Sequence, residues 1–86
     1  MIYIVEDDSA IRELEQYALQ SNGYEAVGFE SSEPFWQAVH TAPPELVILD
    51  VMLPDISGFT LCGEIRKEHH FPVLLSLIHI SEPTRL

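Results

Sequence analysis

Cationic side chains are scarce in this sequence. Four lysines and arginines stand against fourteen acidic residues in a chain of 86, a formal charge of −10. A surface of that sign repels phosphate backbones and anionic headgroups, so neither nucleic acid nor a membrane is expected as a direct partner. Cysteine is nearly absent as well. Cys62 alone cannot close an internal disulfide and is read as a packing residue. No signal peptide or long apolar span opens the chain, which makes a reducing, cytoplasmic setting the expected compartment. Internal repeats and low-complexity stretches are also missing. A sequence that is 47% hydrophobic and 21% charged is globular, and its length holds one small domain. Domains of this size bury only roughly 60% of their unfolded surface, so each strand and helix matters to stability.

What is there is a regular alternation of apolar runs. Met1 to Val5 is a short run with β-branched residues, followed at once by Glu6, Asp7, Asp8 and Ser9, which read as a strand end and a helix cap. From Ser9 to Ser21, Ile11, Leu14, Ala18 and Leu19 recur at helical spacing, and Asn22-Gly23 supplies the stop. Tyr24 to Phe29 predicts a second strand. Ser31 or Ser32 then caps a short helix with Pro34 in its first turn, running to about His40 before Ala42-Pro43-Pro44 breaks it. Glu45 to Val51 carries the unbroken run Leu46-Val47-Ile48-Leu49, the pattern of a parallel strand covered on both faces, and it too meets an acid, Asp50. Pro54, Asp55, Ser57 and Gly58 make a turn, Phe59 to Glu68 a third helix, and Phe71-Pro72-Val73-Leu74 the start of a fourth strand. Trp36 and Phe35 are read as core or groove packing, and His69-His70 as a helix end rather than a metal pair, since adjacent helical residues point apart.

Strands alternating with helices, joined by right-handed crossovers, give an α/β fold with a parallel, doubly wound sheet. Ligands in such open sheets sit beyond the carboxyl ends of the strands, where the winding reverses; in the flavodoxin-like order 2-1-3-4-5 that is between strands one and three. Those two strands end in the acids Glu6-Asp7 and Asp50. Three carboxylates at one edge repel each other unless a cation relieves them, and an all-oxygen donor set suits Mg2+. A carboxylate beside Mg2+ can act as a nucleophile toward a phosphoryl group, which makes Asp50 the candidate acceptor and Asp7 a candidate metal ligand. Asp8 is read as a cap.

Together Ile4-Val5-Glu6-Asp7-Asp8 and Leu46 through Gly58, with its Asp-x-x-Leu-Pro-x-x-x-Gly pattern, resemble the response-regulator receiver domains of two-component signalling, in the form similar to the OmpR/PhoB type. The resemblance covers Met1 to about Leu74. It implies a CheY-like fold and phosphoryl transfer to Asp50 from a sensor histidine kinase. It also implies Mg2+ held by Asp7, by Glu6 directly or through water, by Asp50 and by the backbone carbonyl of Met52. Pro54 and Gly58 would shape the loop after the acceptor. An output domain that binds DNA would lie elsewhere in the parent protein, and no enzymatic role is implied.

The family pattern also asks for a Ser or Thr ending strand four and a Lys ending strand five. The hydroxyl position falls on Leu77; Ser76 lies one residue early and is not assigned, and Lys67, the sole lysine, belongs to helix three. Residues 75 to 85 resemble instead the translation of a common transposase sequencing adapter. The expected division is therefore a partial receiver domain over 1–74, about four strands and three helices of a five-strand, five-helix fold, and a non-native tail over 75–86. On that reading the chain is marginally stable and lacks the usual receiver dimer surface. Two other functions compete. A Mg2+-dependent phosphohydrolase of the haloacid dehalogenase type would need Asp-x-Asp, where Asp50-Val51-Met52 stands, and a receiver-like interaction domain would never take phosphate.

Overall fold

The computed structural model describes residues 1–76, and within them the order is β1 (Ile2–Val5), α1 (Ser9–Ser21), β2 (Ala26–Phe29), α2 (Ser32–Thr41), β3 (Leu46–Asp50), α3 (Gly58–Glu68) and β4 (Val73–Ser76). The four strands are parallel in the order β2-β1-β3-β4, so the chain winds one way from β1 to β2 and the other way from β1 through β3 to β4. This is the doubly wound α/β sheet that the alternation predicts. β4 runs to Ser76, two residues past the expected boundary at 74 and paired in register with Asp50. The remainder of the proposed tail, with Leu77, lies outside the described residues.

Element ends differ from the sequence expectation by one or two residues, each for a local reason. β2 starts at Ala26 rather than Tyr24, because Gly23 turns at φ 90 and Tyr24 N–H still donates to the Leu19 carbonyl. α3 starts at Gly58, with Ser57 as its cap accepting from Phe59 N–H. α2 extends to Thr41, whose hydroxyl donates to Gln37 O, and Tyr3 Oη donates to the Ala42 carbonyl at 2.6 Å just beyond it. His69 is the residue that ends α3, as expected.

The two faces of the sheet are covered unequally. Tyr3, Val5, Val47 and Leu49 point to one side, where Phe35 and Val39 of α2 and Leu61 and Ile65 of α3 bury them completely or nearly so. Phe29, Phe35 and Tyr3 meet there edge to face, and Trp36 and Cys62 pack against the rim. Ile2, Ile4 and Ala26 point to the other side, under α1, with Leu46 and Ile48 only partly covered.

The expected apolar stripe of α1 coincides only in part with its inward face. Leu14 is 66% exposed and Ala18 is exposed, whereas Ile11, Arg12, Glu15, Gln16 and Leu19 are the partly buried positions. Edge-strand chemistry explains the rotation. Gln16 and Gln20 both donate to the Ala26 carbonyl of β2, and the Arg12 methylenes lie so close over Gly28 that a Cβ there would come within 2.6 Å of them. Long polar side chains cover the strand with their stems while satisfying its backbone with their ends.

Candidate functional site

Register places the acids together. β1 and β3 pair Val5 with Leu49, so the next residues along, Glu6 and Asp50, lie side by side at the carboxyl edge, with Asp7 one step further. One carboxylate oxygen from each of Glu6, Asp7 and Asp50 lies within 4.8 Å of the others. Glu6 and Asp50 are both only 1% exposed, and Asp7 is open to solvent. This is the winding-reversal position that the topology predicted, and all three predicted carboxylates reach it. The predicted role of Asp8 also holds: its side chain caps α1, accepting from Ala10 N–H at 2.9 Å and Ile11 N–H at 3.1 Å.

Backbone contacts fix the two buried acids. Glu6 Oε2 accepts from Asp8 N–H at 3.1 Å, and Asp50 Oδ1 accepts from Met52 N–H at 3.1 Å. Arg12 Nη1 donates to the Glu6 carbonyl at 2.7 Å, a tie across the turn between β1 and α1 that sequence spacing did not suggest. Its signal was Gly28, the glycine that leaves room for the arginine stem. Met52, the predicted carbonyl ligand, is exposed and lies next to the acids through its backbone N–H, which donates to Asp50.

The loop after Asp50 closes tightly. Gly58 N–H donates to Val51 O at 2.8 Å, Met52 and Ser57 bridge antiparallel, and Leu53 and Ile56 pack on the core. A methyl group at Gly58 would fall against the Asp50 carbonyl oxygen and within 2.7 Å of the Val51 Cα. Gly58 is thus required for space rather than for backbone angle, as no positive φ occurs there.

Glu15 is a further acid, one that the sequence does not single out. Burial on the inward side of α1 raises its carboxyl above the ordinary 4.5, and the charge of Asp50 pushes it the same way. The folded chain then holds a proton that the unfolded chain releases, so stability falls as pH rises from 4.5 through the folded value. Glu15→Gln is expected to stabilise the chain at pH 7 and to make little difference well below pH 4.5. Urea midpoints at the two pH values check this; an equal gain at both would remove the explanation.

Three hard carboxylates, two of them buried, form a donor set that suits Mg2+ or a similar cation. A separate open groove of about 340 Å³ lies at the last turns of α2 and α3, lined by Trp36, His40, Glu64, Lys67 and Glu68, and does not include the acids. No helix among the described residues is long and apolar enough to cross a membrane.

Comparison with known proteins places this geometry. The family profile described as "Response regulator receiver domain" matches residues 2–86. The alkaline phosphatase synthesis transcriptional regulatory protein PhoP of Bacillus subtilis is 35% identical over 75 residues, 86% of this chain and 31% of PhoP. The transcriptional regulatory protein CreB of Escherichia coli is 37% identical over 86 residues, 99% of this chain and 38% of CreB. The chain thus spans about a third of the length of these curated relatives. Among solved structures, the response regulator TrrA of Thermotoga maritima in complex with Mg2+-BeF superposes with a TM-score of 0.77 at 36% identity, covering 93% of this chain and 72% of TrrA. TrrA in complex with the histidine kinase ThkA gives 0.80 at 39% identity, covering 86% and 65%. The fold, the acid cluster at the winding reversal and these relationships agree: the chain belongs to the response regulator receiver domain family.

Proposed function

We propose that this chain is the phosphoacceptor module of a two-component response regulator, with Asp50 as the acceptor and Glu6, Asp7, Asp50 and the Met52 carbonyl as the Mg2+ ligands. The observation that carries the proposal is the convergence of Asp50 with Glu6 and Asp7 at the edge where β1 and β3 meet. When bound, the cation would neutralise charge on the phosphoryl oxygens. An Asp50 carboxylate oxygen forms the new O–P bond as the P–N bond of a phosphohistidine breaks. The electron pair returns to the imidazole nitrogen, which takes up a proton. Met52 N–H, donating to Oδ1, orients the Asp50 carboxylate for that attack.

A sensor histidine kinase is the proposed partner, a reading supported by the ThkA complex of the related TrrA. PhoP and CreB are named as transcriptional regulators, so control of transcription through an output domain elsewhere in the parent protein belongs to the same proposal, as does a cytoplasmic location. No turnover of a substrate is assigned to the chain; the second acid that a dehalogenase-type hydrolase needs would stand at Met52. The 75–86 segment is proposed to be adapter-derived. The codons of the source DNA over 75–85 decide that point, and synonymous codons foreign to the adapter would sink it.

Intact-mass analysis after incubation with acetyl phosphate and Mg2+ tests the acceptor. One adduct of about 80 Da is expected, absent from Asp50→Asn. An adduct of the same yield on the variant would move the acceptor elsewhere.

A further inference from the structure

The loop that follows Asp50 is tied to a second element by one side chain. Asp55, at its exposed tip, accepts through Oδ2 from both the backbone N–H and the hydroxyl of Ser32, the first residue of α2. These two hydrogen bonds span 23 residues of sequence. They also stand in for a local cap, since Ser31, the residue at the cap position of α2, makes no side-chain cap hydrogen bond. α2 is seated firmly, with Phe35 and Val39 buried in the core. The start of that helix is therefore a fixed post, and Asp55 ties the acceptor loop to it.

We propose that Asp55 is a positioning residue for the phosphoacceptor site. By accepting from Ser32 it fixes the span 51–57 against α2, and with it the Met52 backbone that both donates to Asp50 and would supply a carbonyl to Mg2+. The inference rests on the reading of Glu6, Asp7 and Asp50 as the metal site. Asp55 acts through hydrogen-bond geometry rather than through its charge. The tie is reciprocal as well, because a bond that favours the metal-competent loop must be favoured by the metal in turn. Loading the site is thus expected to slow amide exchange at the first turn of α2.

Calorimetric Mg2+ titration of the whole chain and of three variants tests this. Asp55→Ala is expected to weaken binding about three- to tenfold. Ser32→Ala, which leaves every charge in place, should weaken it in the same direction, and combining the two should add little beyond Asp55→Ala alone. Asp55→Asn keeps an acceptor for Ser32 without the charge and should restore affinity to within about twofold of the parent. Unchanged affinity in both alanine variants overturns the proposal. So does Asp55→Asn binding as weakly as Asp55→Ala, which would assign the effect to long-range charge. Should Asp55→Ala fail to fold, Ser32→Ala, the loss of one hydroxyl, decides alone. A parent chain that binds no Mg2+, or binds it as Asp50→Asn does, would instead refute the metal-site reading itself.

Discussion

Gly58→Ala is expected to destabilise the chain by about 3 kcal/mol, a large part of what a domain of this size possesses. Helix propensity alone argues the other way, since alanine in a helix is favoured over glycine by roughly 0.5–1 kcal/mol. Contact decides between them. The new methyl would press on the Asp50 carbonyl oxygen and lie 2.7 Å from the Val51 Cα, and both are backbone atoms that cannot swing aside as a side chain could. Relief requires Gly58 to withdraw from Val51, which breaks the 2.8 Å hydrogen bond that closes the loop. Gly63, in the same helix, faces open space, and a methyl group there would meet nothing within 4 Å. Gly63→Ala is therefore expected to stabilise by about 0.5–1 kcal/mol. Urea midpoints of the two variants should move in opposite directions. If both rise, the close approach at Gly58 relaxes freely and carries no constraint on the loop after Asp50.

The parts of this molecule that were legible in the sequence are those set by periodicity and by strand ends. Leu46 to Leu49 reads as a buried parallel strand because sequence-adjacent residues must all be apolar when both faces are covered, and Asp50 stands out for the same reason. Asp7 and Asp50 could be brought together on topology alone, since the winding reversal lies between the strands that carry them. Contacts made by long polar side chains were not legible. Ile11, Leu14, Ala18 and Leu19 suggested one face for α1, yet only Ile11 and Leu19 turn inward, because the Glu6 carbonyl receives Arg12, the Ala26 carbonyl receives Gln16 and Gln20, and Gly28 leaves room for the arginine stem. Asp55 has the composition of an ordinary turn residue, and nothing in local spacing links it to Ser32. Glu15 likewise reads as a solvated helix residue until the sheet beneath it is in place.

In the absence of divalent cation, Asp50→Asn is expected to raise thermal stability. Asp50 and Glu6 are each 1% exposed and share a cluster whose oxygens lie within 4.8 Å with Asp7. Two unit charges at that separation interact by roughly 3 kcal/mol at an effective dielectric of about 20, and relaxation together with the exposure of Asp7 reduces the net gain to about 1–2 kcal/mol. Asparagine has nearly the same shape, and its Oδ1 can still accept from Met52 N–H. For a domain of this size the gain corresponds to a rise in melting temperature of roughly 4–16 °C. Saturating Mg2+ should reverse the order. Binding to the native state alone adds about 2.7 kcal/mol when the free cation is at 100 times its dissociation constant, and the variant, short of one anionic ligand and of the repulsion that favours a cation, gains far less. Thermal melts of both proteins with Mg2+ and with a chelator would show the crossing. A parent chain that Mg2+ does not stabilise, or a variant stabilised as much as the parent, would mean that the three carboxylates do not act as one metal site. A variant less stable than the parent even in chelator would mean that Asp50 is held by contacts that outweigh the crowding of its neighbours.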